Sequence, residues 1–205
     1  MQVVIIDYGM SNLGSISNAL VEVGAENVTI ATKPEELKQA THIILPGVGA
    51  FKDGMDNLVS TGFKDAIREA ALNDKVPILG ICLGMQLMAE KGFEGGEVEG
   101  LGLIPGVVDK LKPTKKNEKI PHVGWNEVYP AQANPIFDNI PKGTDFYFVH
   151  SYHFTPKKKT NTLSTTPYCG GFVSSVVKEN IFGTQFHPEK SQRPGFQLLK
   201  NFINQ

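Results

Sequence analysis

The segment Gly80-Ile81-Cys82-Leu83-Gly84 places a thiol between two glycines, after the apolar run at 77–81 and before Met85, Leu87 and Met88, which belong to a predicted helix. A sharp strand-to-helix turn of this kind exposes a nucleophile, and small flanking residues let neighbouring backbone come close. The helix start favours a thiolate, and the backbone N–H of Leu83 points toward a carbonyl under attack at Cys82. A thiol nucleophile needs a base. His187, in Gln185-Phe186-His187-Pro188-Glu189, directly follows a predicted strand. Pro188 biases it toward extended backbone, so Glu189 projects to the same side and can orient the imidazole. Gln86 lies one helical turn beyond Cys82 and can face the same pocket. Taken singly, each has a plainer reading: a packed core cysteine, a loop histidine beside a solvated glutamate, an exposed helix amide. Taken together they complement one another, since one segment lacks a base and the other lacks a nucleophile. The chemistry implied is acyl transfer.

These residues need elements to hold them. Residues 3–6 form an apolar, β-branched run closed by Asp7 and Gly9, the pattern of a strand buried on both faces. Leu13, Ile16, Leu20 and Val23 then recur at helical steps up to Gly24. Further strands are predicted at 28–30, at 43–45 before Pro46-Gly47, and at 77–81, with a short helix at 34–40 and another carrying Phe63, Ile67 and Ala70. Beyond about residue 100 the pattern shifts to short strands at 107–108, 126–128, 146–149, 174–177 and 181–185, the last two forming a hairpin. Phe196, Leu199, Phe202 and Ile203 give a closing helix. The reading is one α/β domain spanning 1–205, with a mostly parallel central sheet covered by helices and a partly antiparallel C-terminal half.

The bulk composition narrows the field by exclusion. With 20 basic against 21 acidic residues the net charge is −1, so no global field draws the chain to nucleic acid or an anionic membrane. The lysines at 110, 112, 115, 116 and 119, and those at 157–159, read as solvated loops in preference to a docking patch. Cys82 and Cys169 lie far apart without metal-ligand spacing, which argues against a disulfide scaffold, a zinc site or any other metal. The N-terminal run is a strand and not a signal peptide, and no segment has the length of apolar sequence needed to span a bilayer. A cytoplasmic protein without a cofactor is expected. Gly47-x-Gly49 is a poor dinucleotide fingerprint, because Lys52 occupies the third glycine position.

Gly-Ile-Cys-Leu-Gly combined with His-Pro-Glu resembles the class I glutamine amidotransferases, a family of flavodoxin-like α/β fold. The strings at 7–13, 121–126, 147–152 and 187–191 resemble one branch of it, the glutaminase subunits of imidazole glycerol phosphate synthases. Met85 before Gln86 also fits that branch, whereas the anthranilate synthase branch usually carries His there. The resemblance implies a triad of Cys82, His187 and Glu189, with Gln86 reading the substrate glutamine and Ser151 and Tyr152 beside it. It makes 46–49 an oxyanion strand, whose backbone N–H near Val48 and Gly49 would join that of Leu83. It further implies a (β/α)₈ cyclase subunit as partner, with Tyr8, Asn12, Trp125 and Lys190 at the interface or channel mouth. Ser11 and His153 depart from the usual pattern, at positions expected to touch the partner or the pocket rim; Cys169 matches no catalytic position. The rival readings are a stand-alone cysteine hydrolase, a glutaminase of another pathway, and a non-catalytic protein with an oxidisable Cys82.

Overall fold

The computed structural model describes residues 1–205. In chain order the first half contains β1 (Gln2–Ile6), α1 (Leu13–Glu22), β2 (Asn27–Ala31), β3 (His42–Leu45), α2 (Phe51–Ser60), α3 (Phe63–Arg68), β4 (Ile78–Ile81) and α4 (Leu83–Leu87). Then come β5 (Lys91–Gly92), β6 (Val98–Glu99), β7 (Gly106–Lys110), β8 (His122–Pro130), β9 (Thr144–His150), β10 (Tyr152–Pro156), β11 (Thr162–Thr166), β12 (Phe172–Lys178), β13 (Ile181–Thr184) and α5 (Gln192–Ile203).

Nine strands form the central sheet in the order β2-β1-β3-β4-β13-β12-β11-β8-β9. From β2 to β13 the neighbours run parallel, and from β13 to β9 antiparallel. The alternation along β1 shows why: Val4 and Ile6 enter one core with Phe51, Leu58 and Leu87, while Val3 and Ile5 enter the other with Leu20, Leu199 and Phe202. Helices α2, α3 and α4 cover the first face; α1 and α5 cover the second. The predicted hairpin is present, with Lys178 opposite Ile181.

Three expectations need correction. Residues 51–60 form a helix that went unread, because Gly54 interrupts an otherwise helical pattern; Leu83 and Leu87 pack within 3.1–3.3 Å of where its Cβ would be. The helix expected to carry Phe63, Ile67 and Ala70 is present, but after Arg68 it widens into π-helical turns over Glu69–Asn73. A second, four-stranded sheet, β10-β7-β5-β6, packs Val108 and Phe154 against the first core. Its two shortest strands have two residues each, too few to show a period.

The loops following β1, β3, β4 and β13 all emerge at the carboxyl end of the parallel strands, where ligands bind in open α/β sheets. They carry residues 7–12, 46–49, Cys82 and 185–190.

Candidate active site

Cys82 sits between β4 and α4 with φ 53 and ψ −107, a left-handed conformation that holds a non-glycine residue at a strained turn. Its N–H donates to the Thr184 carbonyl at 2.7 Å, fastening the turn to β13. The flanking glycines are required for close approach. A Cβ at Gly80 would lie 2.7 Å from the Gly84 backbone, and one at Gly84 would collide with the Leu45 carbonyl. One part of the sequence argument weakens here: α4 has only five residues, so its dipole offers little to a thiolate.

Two side chains do more. His187 and Glu189 are both buried, and Nδ1 of the ring lies 2.8 Å from Glu189 Oε1. That contact leaves Nε2 as the nitrogen available to the sulfur, and Nε2 is buried without a hydrogen bond of normal length. Burial pulls the His187 pKa down, but the Cys82 thiol and the Glu189 carboxylate outweigh it and push it up to about 9. The ring beside the sulfur is therefore held readily protonated. The reach of Glu189 does not come from two-residue extended spacing, because Pro188–Lys190 is a 3₁₀ turn that swings the carboxylate back under the ring. Ser191 holds this turn to β9: its hydroxyl donates to the His187 carbonyl at 2.6 Å and accepts from the Tyr147 N–H at 3.0 Å. The His187 N–H donates to the Tyr147 carbonyl at 2.9 Å.

The second side chain is Gln185, buried completely, whose Nε2 lies 3.7 Å from Cys82 Sγ. Its Oε1 accepts from Gln86 Nε2 at 3.0 Å. Sequence reasoning missed Gln185; its only signal was its place two residues before His187.

The thiol opens on a cavity of about 270 Å³. Val48, Gly49, Leu83, Gln86, Ser151 and Tyr152 line it with Cys82, so all seven residues expected around a substrate share one cavity. The lining also holds Glu94, the one acidic side chain present, which sequence had not indicated because it lies in a glycine-rich loop without pattern. Its Oε2 accepts from the Phe51 N–H at 2.9 Å, which anchors the carboxylate at the rim.

The two expected oxyanion donors are not aimed into this cavity. The Val48 N–H donates to the Met10 carbonyl at 2.8 Å, and the Leu83 N–H to the Gly47 carbonyl at 3.3 Å. Gly49, at φ 121, supplies a joint at which the 48–49 peptide can turn over.

The expected interface residues separate. Tyr8 is 2% exposed and donates to the Pro46 carbonyl at 2.9 Å, so it supports the oxyanion strand from beneath and offers no surface; burial pushes its hydroxyl well above the usual range. Asn12 and Lys190 are exposed and border a narrow cleft with His187 and Glu189, which shares Val48 with the larger cavity. Trp125 is 47% exposed on β8, edge-on to Tyr147. His153 is absent from the cavity lining; it packs toward Phe172, with Nδ1 buried and unpartnered. Burial, followed by the nearby Glu118 charge, pushes the Cys169 thiol up, away from thiolate chemistry.

The family model for glutamine amidotransferase class-I matches residues 4–205. The chain belongs to this family. Among its relatives, imidazole glycerol phosphate synthase subunit HisH 1 of Campylobacter jejuni (strain RM1221) is 48% identical over 201 residues, covering 98% of each chain. The HisH subunit of Moorella thermoacetica is 48% identical over 200 residues, covering 98% of this chain and 93% of that one. A chain in the structure of PurLQS from Thermotoga maritima superposes with a TM-score of 0.75, covering 99% of this chain and 97% of that one; at 19% identity it speaks for the amidotransferase fold alone. Within the family the chain falls among the HisH subunits.

Proposed function

We propose that this chain is the glutaminase subunit of an imidazole glycerol phosphate synthase, in histidine biosynthesis. It hydrolyses glutamine to glutamate and ammonia and passes the ammonia to a (β/α)₈ cyclase subunit. The observation that carries the reading is the buried His187–Glu189 contact of 2.8 Å placed behind a thiol that opens on a glutamine-sized cavity. We read residues 1–205 as one such domain, working in a reducing cytoplasm where Cys82 stays a free thiol.

In this reading His187 takes the Cys82 proton, and the thiolate attacks the side-chain amide carbon of glutamine. His187 returns the proton to the leaving nitrogen, and ammonia departs from a glutamyl thioester. Water, with His187 again as base, cleaves the thioester to glutamate and the free thiol. Gln185 steadies the sulfur charge. Glu94 has the sign to hold the substrate α-ammonium, Gln86 supplies an amide oxygen, and Ser151 and Tyr152 complete the lining. Asn12, Trp125 and Lys190 are the exposed residues offered to the cyclase.

The test mixes the chain with a cyclase subunit and follows product formed from glutamine and, separately, from ammonium salt. Cys82→Ala is expected to lose the glutamine-driven reaction by about 10⁴-fold or more, with the ammonium-driven one intact. Retained glutaminase activity in that variant would sink the proposal. The Val48 N–H is turned toward Met10, so hydrolysis is expected to be slow in the isolated subunit and faster when the ligand-bound cyclase is present. Equal rates in both conditions would remove the idea that this peptide gates catalysis.

A further inference from the structure

Next to the glutamine cavity lies a pair of buried histidines that the hydrolysis does not use. His122 Nδ1 is 3.0 Å from His150 Nε2, and His150 Nδ1 is 2.8 Å from the Tyr152 carbonyl. Asn126 Nδ2 is 3.3 Å from the remaining nitrogen of His122. His122 is clamped between the rings of Phe148 and Tyr168, with centroids 4.9 and 4.0 Å away.

A carbonyl can only accept, so His150 Nδ1 must carry a proton. In a neutral ring its Nε2 is then an acceptor, which requires the proton on His122 Nδ1; His122 Nε2 in turn accepts from Asn126. Burial, opposed on His150 by the Tyr152 hydrogen bond, keeps both rings neutral, at about 4 for His122 and about 3 for His150. Every donor in the row therefore points toward the cavity.

The same carbonyl receives a second donor, Gln86 Nε2, at 2.9 Å. Both amide hydrogens of Gln86 are thus committed, one to Tyr152 and one to Gln185. The Gln86 oxygen is the atom left to meet a ligand in the cavity. With the Gln86 amide fixed this way round, the Gln185 amide is fixed too, its nitrogen toward Cys82.

We propose that His150, locked in the Nδ1–H tautomer by His122, is a positioning residue for glutamine recognition: it holds the Tyr152 carbonyl, which orients the Gln86 amide with its oxygen to the substrate. The inference rests on the reading that Gln86 contacts glutamine. Removing His150 frees the carbonyl to move and lets the Gln86 amide turn over, which weakens ground-state binding; His187 and Glu189 are untouched, and the sulfur loses at most the weak 3.7 Å donor from Gln185. The loss therefore falls on KM more than on kcat.

The experiment uses the complex with the cyclase subunit and its ligand, and measures glutamine hydrolysis in His150→Phe, His150→Asn and Gln86→Leu. His150→Phe keeps an aromatic ring among Phe148 and Phe172 but has no donor; the expected result is a rise in KM of about tenfold, the worth of one buried hydrogen bond, with kcat within about twofold. His150→Asn puts an amide N–H near the Nδ1 position and is expected to recover most of that KM. On the unmodified protein, ¹⁵N spectra of the imidazoles are expected to show both His122 and His150 protonated on Nδ1 and not on Nε2. An unchanged KM in His150→Phe, a fall confined to kcat, or an Nε2–H on His150 would overturn the proposal, and the spectra decide it even if the Phe variant does not fold. Gln86→Leu separates the two claims: if its KM for glutamine matches that of the unmodified protein, the role of Gln86 fails before that of His150 is at issue.

Discussion

The two sides of Cys82 differ in how finished they are. On the base side, His187, Glu189 and Ser191 are buried, mutually hydrogen-bonded and tied to β9. On the oxyanion side, the N–H groups of Val48 and Leu83 bond to the Met10 and Gly47 carbonyls; Leu83 is buried at the start of α4, while Val48 and Gly49 on the loop after β3 are exposed. The contrast teaches where control is cheapest. A buried charge pair is expensive to take apart, because each partner would be left uncompensated. A single peptide between glycines can turn over for the loss of one backbone hydrogen bond, a net of about 1 kcal/mol. In the proposed mechanism, proton chemistry is kept ready, and transition-state stabilisation waits on a realignment of residues 47–49.

Breaking the finished side should have the largest effect. Glu189→Gln removes the carboxylate that orients His187 and supports its charge, and glutaminase kcat is expected to fall by about 10²-fold or more. The same variant bears on pH. The folded protein holds the His187 proton more tightly than the ordinary value of 6.5, so the stability this adds is complete below 6.5 and is lost as pH rises through about 9. Thermal unfolding followed across that window should show the loss in the parent protein, and Glu189→Gln should move it to lower pH. An unshifted limb would mean that Glu189 does not support the imidazolium.

Breaking the unfinished side should matter less, and only when the partner is present. Gly49→Ala places a methyl against Met10 and penalises the φ of 121, which hampers the joint. The partner-stimulated rate is expected to drop by about tenfold; full stimulation in that variant would mean that the peptide does not turn. The smallest effect is expected at Gln185→Leu, which removes one weak donor from the sulfur and should lower kcat by a few-fold, about 1 kcal/mol in the barrier, with KM for glutamine changed alongside through Gln86. A Gln185→Leu enzyme with parental kcat would assign the sulfur charge to His187 alone.

What was legible in the sequence was whatever depends on local pattern. The buried run of β1, the glycines at 80 and 84, and the His187-Pro188-Glu189 string each carry their reason within a few residues. They sufficed for the parallel half of the sheet and for proposing Cys82 as nucleophile and His187 as base. The rest depends on contacts between distant segments. Gln185 becomes informative only when β13 lies beside β4, and Glu94 only when its loop folds over the N-terminus of α2. Tyr8 read as surface because the polar string 7–12 hides the fact that its ring fills the space under Pro46. The state of the Val48 peptide is a choice between two backbone conformations that both suit glycine neighbours, so the sequence is silent on it.

The clamp made by Ser191 reaches beyond catalysis. β9 is the last strand of the nine, and an unpaired sheet edge is a template on which another chain can add itself. Here Tyr147, in mid-edge, has both of its backbone groups occupied by the loop that carries the base. The segment that carries His187 therefore also covers the middle of this edge. Loosening at Ser191 would free the Tyr147 N–H on this edge and release the His187 carbonyl together, so cover of the edge and placement of the imidazole share one hydroxyl.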